Sequence, residues 1–88
     1  MDRYEPYYAE DTDGVHFQVL VGGTHVQAYV SRLLLTRCCG TCVAPAACVA
    51  VYLENRRSID AAVERRVMRD GPETVVLKFL ELPNMPLL

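Results

Sequence analysis

From Val15 to Val30 two runs flank Gly22-Gly23, with apolar residues at alternate positions and Leu20 and Tyr29 among the polar ones between them. Such alternation places one set of side chains on each face of a strand. The Gly-Gly pair accepts the positive φ of a two-residue type I′ or II′ turn, so the run predicts a β-hairpin. Pairing Val21 with Thr24 sets Val19 opposite Val26, Phe17 opposite Ala28 and Val15 opposite Val30. These apolar side chains, with Thr24, make a core face. His16, Gln18, Leu20, His25, Gln27 and Tyr29 occupy the other face, which is mixed, as expected of a hairpin covered on one side.

A change of period follows. Ser31 is placed to cap a short helix over Arg32 to Cys39, with Leu33, Leu34 and Leu35 as its apolar surface and Gly40 as its left-handed C-terminal residue. Thr41 to Ala44 reads as a connector. Pro45 to Asp70 is helix-compatible throughout, with Pro in the first turn and Gly71-Pro72 closing it. Placing Ile59 at zero and stepping ~100° per residue gathers Val49, Tyr52, Val63 and Val67 into an arc of about 80°. That stripe predicts an amphipathic helix lying on the core face of the hairpin. Two residues interrupt it: Arg56 falls inside the arc, and Asn55 lies just outside its other edge. Twenty-six residues is long for a helix in a small domain, so a bend or break is expected near Asn55. Thr74 to Leu82 then reads as a last strand, apolar on both faces, hence central in the sheet or covered by a partner. Pro83 and Pro86 end it, and residues 83–88 read as a frayed tail. The expected fold is α+β with the order β-β-α-α-β, an antiparallel or mixed sheet with helices on one face.

Length and charge narrow the class. Eighty-eight residues hold one domain, assigned to residues 15–82. The preceding residues 1–14 are acidic and rich in Tyr and read as a flexible arm, loosely docked through its tyrosines. Net charge is −2, which offers no general attraction to phosphates or anionic membranes. The N-terminus lacks the basic start and apolar run of a secretion signal, and no apolar stretch approaches ~18 residues. A cytoplasmic location follows as the expectation, with reduced thiols and no membrane partner. An apolar fraction of 51% in so small a domain points to surplus apolar surface of the kind a homodimer covers.

Candidate chemistry is sparse. Cys38, Cys39, Cys42 and Cys48 fall within eleven residues, with a Cys-x-x-Cys spacing at Cys39 and Cys42. They are candidate ligands for a soft metal such as zinc, or a reversible disulfide pair. Cys39 would sit at a helix C-terminus, where the dipole opposes thiolate formation, so packing as small hydrophobes is the favoured reading. His16 and His25 share a face but oppose Tyr29 and Leu20, about 13 Å apart along the strands, too far for one metal. With Gln18, Gln27, Tyr29 and Lys78 they form a candidate binding face, to which Asn55 and Arg56 are added as the interruption of the helix stripe. Arg57, Arg65, Arg66 and Arg69 suggest a basic patch, but Glu54, Asp60, Glu64 and Asp70 interleave with them. Ser31 and Ser58 are a cap and a helix residue, and neither a phosphate loop nor a carboxylate pair is evident. No catalytic residue and no cofactor are assigned.

The order of these features resembles a small bacterial family of unknown function, DUF1488. The resembling pieces are V-x-F-x-V-x-V-x-G at Val15 to Gly23 and V-x-A-x-V-S at Val26 to Ser31. The Leu-rich short helix comes next, then Y-L-E-N-R-R-S-I-D-A-A-V-E-R-R at Tyr52 to Arg66, with Asn55, Arg56 and Ile59 as the matching core. Cys38-Cys39-Gly40-Thr41-Cys42 departs from the pattern, so no chemistry common to the family is carried to those cysteines. The resemblance implies a compact α+β fold and no established activity or cofactor. The functional expectation is a non-enzymatic protein-interaction module, homodimeric. The alternative is a nucleic-acid-binding or regulatory accessory protein using the Arg-bearing helix, and the third is a metal or redox site at the cysteines.

Overall fold

The computed structural model describes residues 5–78 and 81–82. Strands β2 (Gly14–Val21) and β3 (Thr24–Ser31) form the hairpin in the expected register, from Val21 opposite Thr24 to Gly14 opposite Ser31. Gly22 and Gly23 sit at φ 56° and 83°, the left-handed pair that a type I′ turn requires. Val15, Phe17, Val19, Val26, Ala28 and Val30 are buried, whereas Val21 and Thr24 at the tip are not.

Helix α1 (Arg32–Cys39) begins directly after β3. Ser31 Oγ accepts a bond from the Leu34 N–H at 3.0 Å, and the N–H of Gly40, at φ 73°, donates to the Thr36 carbonyl at 3.0 Å. Leu34, Leu35 and Cys38 enter the core while Leu33 faces solvent. Beyond the connector, the long helix is divided. A 3-10 turn (Pro45–Ala47) leads into α2 (Cys48–Glu54), and α3 (Arg56–Asp70) follows. The break falls at Asn55, whose φ of −114° and ψ of 22° leave the helical region.

The backbone groups of Asn55 keep partners across the break. The Asn55 N–H is shared between the Val51 and Tyr52 carbonyls at 3.2 and 3.1 Å, and its carbonyl accepts from the Ile59 N–H at 3.1 Å. Its side-chain amide donates back to Val51 O at 2.9 Å. The buried residues are Cys48, Val51 and Tyr52 on α2 and Ile59, Ala62 and Val63 on α3, with Val49 and Val67 only partly covered. On the same helical wheel the covered arc therefore lies about 60° from the expected stripe, toward Val51 and Ala62. That rotation carries Arg56 from inside the arc to its rim.

Two strands flank the hairpin and complete a mixed sheet of order β1-β2-β3-β4. Strand β1 (Tyr7–Ala9) runs antiparallel to β2, with Tyr7 opposite His16 and Ala9 opposite Gly14. The expected arm over residues 1–14 is therefore, from Tyr7 onward, part of the sheet. One carboxylate secures it. Asp13, at φ 51°, accepts from the Tyr8 hydroxyl and from Arg32 Nε and Nη2 at 2.8 and 3.1 Å. Arg32 in turn donates to Val43 O at 3.2 Å, tying the connector to the same point.

Strand β4 (Val75–Val76) pairs parallel with β3, Ala28 opposite Val75 and Tyr29 opposite Val76. A return to the sheet through helices makes parallel pairing natural. The last strand is thus short and marginal rather than long and central. Glu81 draws the chain off the ladder: its carboxylate takes Arg66 Nε and Nη2 at 2.8 and 2.7 Å and the Lys78 N–H at 2.9 Å. Phe79, Leu80 and the tail expected to fray, 83–88, lie outside the described residues. The core joins the inner hairpin face to Leu35, Tyr52, Ile59 and Val63, with the Phe17 and Tyr52 rings 4.4 Å apart.

Gly14 is buried where the Tyr29 ring crosses the strand. A Cβ there would lie 2.6 Å from Tyr29 Cε1 and 2.6 Å from the Val30 carbonyl oxygen. Gly14→Ala is expected to destabilise the fold by about 1–3 kcal/mol through overpacking. Urea unfolding with an unchanged m-value checks it.

Candidate functional site

The outer face of the sheet carries a row of side chains across all four strands: Tyr7, His16, Tyr29 and Val76. His16 stacks on Tyr7 with centroids 5.2 Å apart and meets the Tyr29 ring at 4.9 Å. The loop between β1 and β2 folds against this row. Thr12 Oγ1 lies 2.8 Å from His16 Nε2, and the Tyr29 hydroxyl donates to the Thr12 carbonyl. Burial and the nearby Asp13 carboxylate raise the Tyr29 pKa. Thr12, His16, Gln27, Tyr29, Thr74 and Val76 border a shallow, largely apolar hollow of about 440 Å³.

A second, polar cleft of about 420 Å³ lies where the β2 edge meets α3. Gln18, Val19, Leu20 and His25 border it from the hairpin, and Arg56, Asp60 and Glu64 from the helix. A spacing of four residues puts the three helix side chains in one line. The Arg56 guanidinium is half exposed and reaches Asp60 Oδ2 only loosely, at 3.6 Å. Asp60 also accepts the Tyr52 hydroxyl at 2.7 Å, so the core ring is tied to the cleft wall. Burial raises the Asp60 pKa despite the opposing pull of Tyr52 and Arg56, and burial together with Asp60 raises that of Tyr52. Gln18 Oε1 is buried and has no hydrogen-bond partner.

The structure divides the expected binding face. Gln18 and His25 join Arg56 at the cleft, His16, Gln27 and Tyr29 line the apolar hollow, and Lys78 borders neither. Asn55 is the pivot between two helices, its side chain committed to Val51. Asp60 and Glu64 escaped the sequence reading as cleft residues, although their spacing from Arg56 was the available signal. Tyr7 and Thr12 had no such signal, because their position depends on pairings distant along the chain.

The four cysteines are free thiols. Cys38 and Cys48 are buried, Cys39 is partly covered and Cys42 is exposed. Burial raises the pKa of Cys38, Cys39 and Cys48, which disfavours the nucleophilic thiolate. Among the described residues no three His, Cys, Asp or Glu side chains converge as a metal site.

A family model, described as a protein of unknown function (DUF1488), matches residues 2–77. The chain belongs to the DUF1488 family. A solved structure agrees with that membership at the level of the fold: a crystal structure of a protein of unknown function from the DUF1488 family of Shewanella loihica PV-4. It superposes with a TM-score of 0.67 at 12% identity, covering 86% of this chain and 94% of that one. No curated protein matches the chain. In this DUF1488 domain the family match begins at residue 2, ahead of the expected boundary at Val15, in keeping with a β1 that belongs to the sheet.

Two outcomes test the site. An acid whose native pKa lies above its unfolded value binds its proton more tightly when folded, so stability falls as pH rises through that interval. For Asp60 the interval starts near the ordinary value of 3.8. Asp60→Asn should therefore gain stability relative to the wild type as the pH rises from about 4, near the ordinary carboxyl value, to pH 7. Urea unfolding of both proteins at the two pH values measures this; a difference constant with pH contradicts it. The second outcome concerns the thiols: at pH 7 a maleimide should label Cys42 first, and Cys38 and Cys48 only on unfolding, as peptide mapping would show.

Proposed function

We propose that this DUF1488 domain is a non-catalytic, cytoplasmic protein-interaction module that acts as a homodimer. The carrying observation is the outer surface of the sheet. Tyr7, Leu20 and Val76 stand 58, 58 and 51% exposed there, on a face whose strand residues His16, Gln18, His25, Gln27 and Tyr29 include no Asp, Glu, Lys or Arg. Exposed apolar side chains on a face without formal charge suit a protein partner, since no charge must be desolvated or matched on contact. Among the described residues no helix is long and apolar enough to cross a membrane.

The ion pairs favour this over nucleic-acid binding by the Arg-bearing helix. Arg66 is engaged by Glu81 at 2.7 Å and Asp70 at 3.8 Å, and Arg69 by Asp70 at 3.2 Å. Phosphate binding would have to displace those carboxylates.

Sedimentation velocity across micromolar concentrations should find a species of twice 9.9 kDa. A monomer throughout would overturn the homodimer. Mobility shifts with duplex DNA or single-stranded RNA at low salt should show no binding, and a salt-dependent shift would favour the nucleic-acid reading.

A further inference from the structure

Among the described residues, the edge of β2 is unpaired beyond His16. Strand β1 covers it only from Gly14 to His16. In a hairpin closed at Val21 and Thr24, residues alternate between bonding across the hairpin and directing N–H and C=O outward. Phe17, Val19 and Val21 bond to β3, so Gln18 and Leu20 point their main-chain groups outward. The run Phe17 to Val21 has no charge and no proline, the usual protections of an edge. Such a segment requires a cover.

Charge indicates which one. Arg56, Asp60 and Glu64 flank this edge as a line of one cation and two anions along α3. A two-fold axis through Val19, normal to the sheet, would set α3 antiparallel to its copy and bring Arg56 against Glu64 of the second copy, twice. The central Asp60 is engaged by Tyr52 and Arg56 of its own chain. The line is therefore complementary to itself only in the antiparallel sense, which is the sense a two-fold dimer imposes.

We propose, resting on the homodimeric reading above, that two copies join edge to edge through β2. Gln18 and Leu20 of each exchange main-chain hydrogen bonds around Val19, and the Arg56–Asp60–Glu64 lines pair antiparallel. The two sheets become one continuous sheet, and on its outer face the exposed Leu20 of each copy lies opposite Gln18 of the other.

The test is sedimentation velocity combined with amide exchange on the full chain. The Gln18 and Leu20 amides should be protected in the dimer and lose protection on dilution into monomer. Leu20→Pro deletes one outward N–H without touching a bond to β3, and should give a folded monomer by circular dichroism. Arg56→Glu should weaken dimerisation at least about tenfold by opposing Glu64 of the second copy, and adding Glu64→Arg should restore it. The charge pair keeps the test decisive if Leu20→Pro fails to fold. A wild-type dimer indifferent to both Arg56→Glu and its rescue would overturn the edge and leave the homodimer standing. A monomeric wild type would overturn both readings. In that monomer, protected Gln18 and Leu20 amides would assign the edge to the chain's own residues 1–6.

Discussion

The two-glycine turn is the constraint on which the rest of the structure depends. Closing β2 and β3 at Val21 and Thr24 decides, by period-two alternation, which side chains enter the core and which stay outside. The same closure decides which main-chain groups are spent inside the hairpin. His16 and Gly14 direct theirs to β1, Tyr29 directs its carbonyl to the Leu77 N–H at 3.0 Å, and Gln18 and Leu20 direct theirs to the side of β2 that no described strand covers beyond His16. A slip of one residue would invert all of these assignments together. Core, aromatic row and free edge are consequences of one register.

Asn55 supplies the second constraint. A rigid helix from Pro45 to Asp70 would run roughly 39 Å at 1.5 Å per residue, longer than the hairpin it covers, whose strands of eight residues reach about 27 Å. Breaking it lets α2 and α3 each lie on the sheet with a separate set of apolar residues. Asn suits the break because its side-chain amide adds a second donor to Val51 O, beside its own N–H, while its backbone departs from the helix. The turn of the covered arc toward Ala62 also frees Arg56. The guanidinium that interrupts the stripe is thus neither a buried charge nor a snorkelling core residue but the rim of a cleft, where Asp60 and Tyr52 couple it to the core.

What was legible in the sequence was local. The hairpin register, the Ser31 and Gly40 caps and the break near Asn55 each depend on a few neighbouring residues and their φ preferences, and the structure has them at those positions. The flanking strands depend on long-range partners. Residues 7–9 are ordered by Asp13 and Arg32, separated by nineteen positions, and β4 is shortened by Glu81 reaching back to Arg66 across fifteen. No periodicity encodes such pairs. Composition misled for the same reason, since Asp13, read as part of a flexible arm, and Glu81, read as part of the last strand, are the groups that fasten both edges of the sheet. At the site, Arg56 stood out as an intruder in an apolar arc, whereas Asp60 and Glu64 looked like ordinary solvated helix charges.

These fastening carboxylates also organise the surface. Arg32 holds the Asp13 carboxyl below the usual range, Arg66 does the same to Glu81, and Arg69 to Asp70. Each of these carboxylates favours the folded state once ionised, and each occupies an arginine that would otherwise be available to an anionic partner. Asp60 alone among the shifted carboxyls moves the opposite way, because burial against the core outweighs its partners. The charge of the domain is consequently divided by role. Among the described residues, pairs at the sheet margins hold the strands in place, the outer strand face is left without formal charge, and the line of Arg56, Asp60 and Glu64 lies beside the stretch of β2 beyond His16. In the proposed edge-to-edge dimer those charges would lie beside the seam, and the apolar outer faces of the two copies would continue across it.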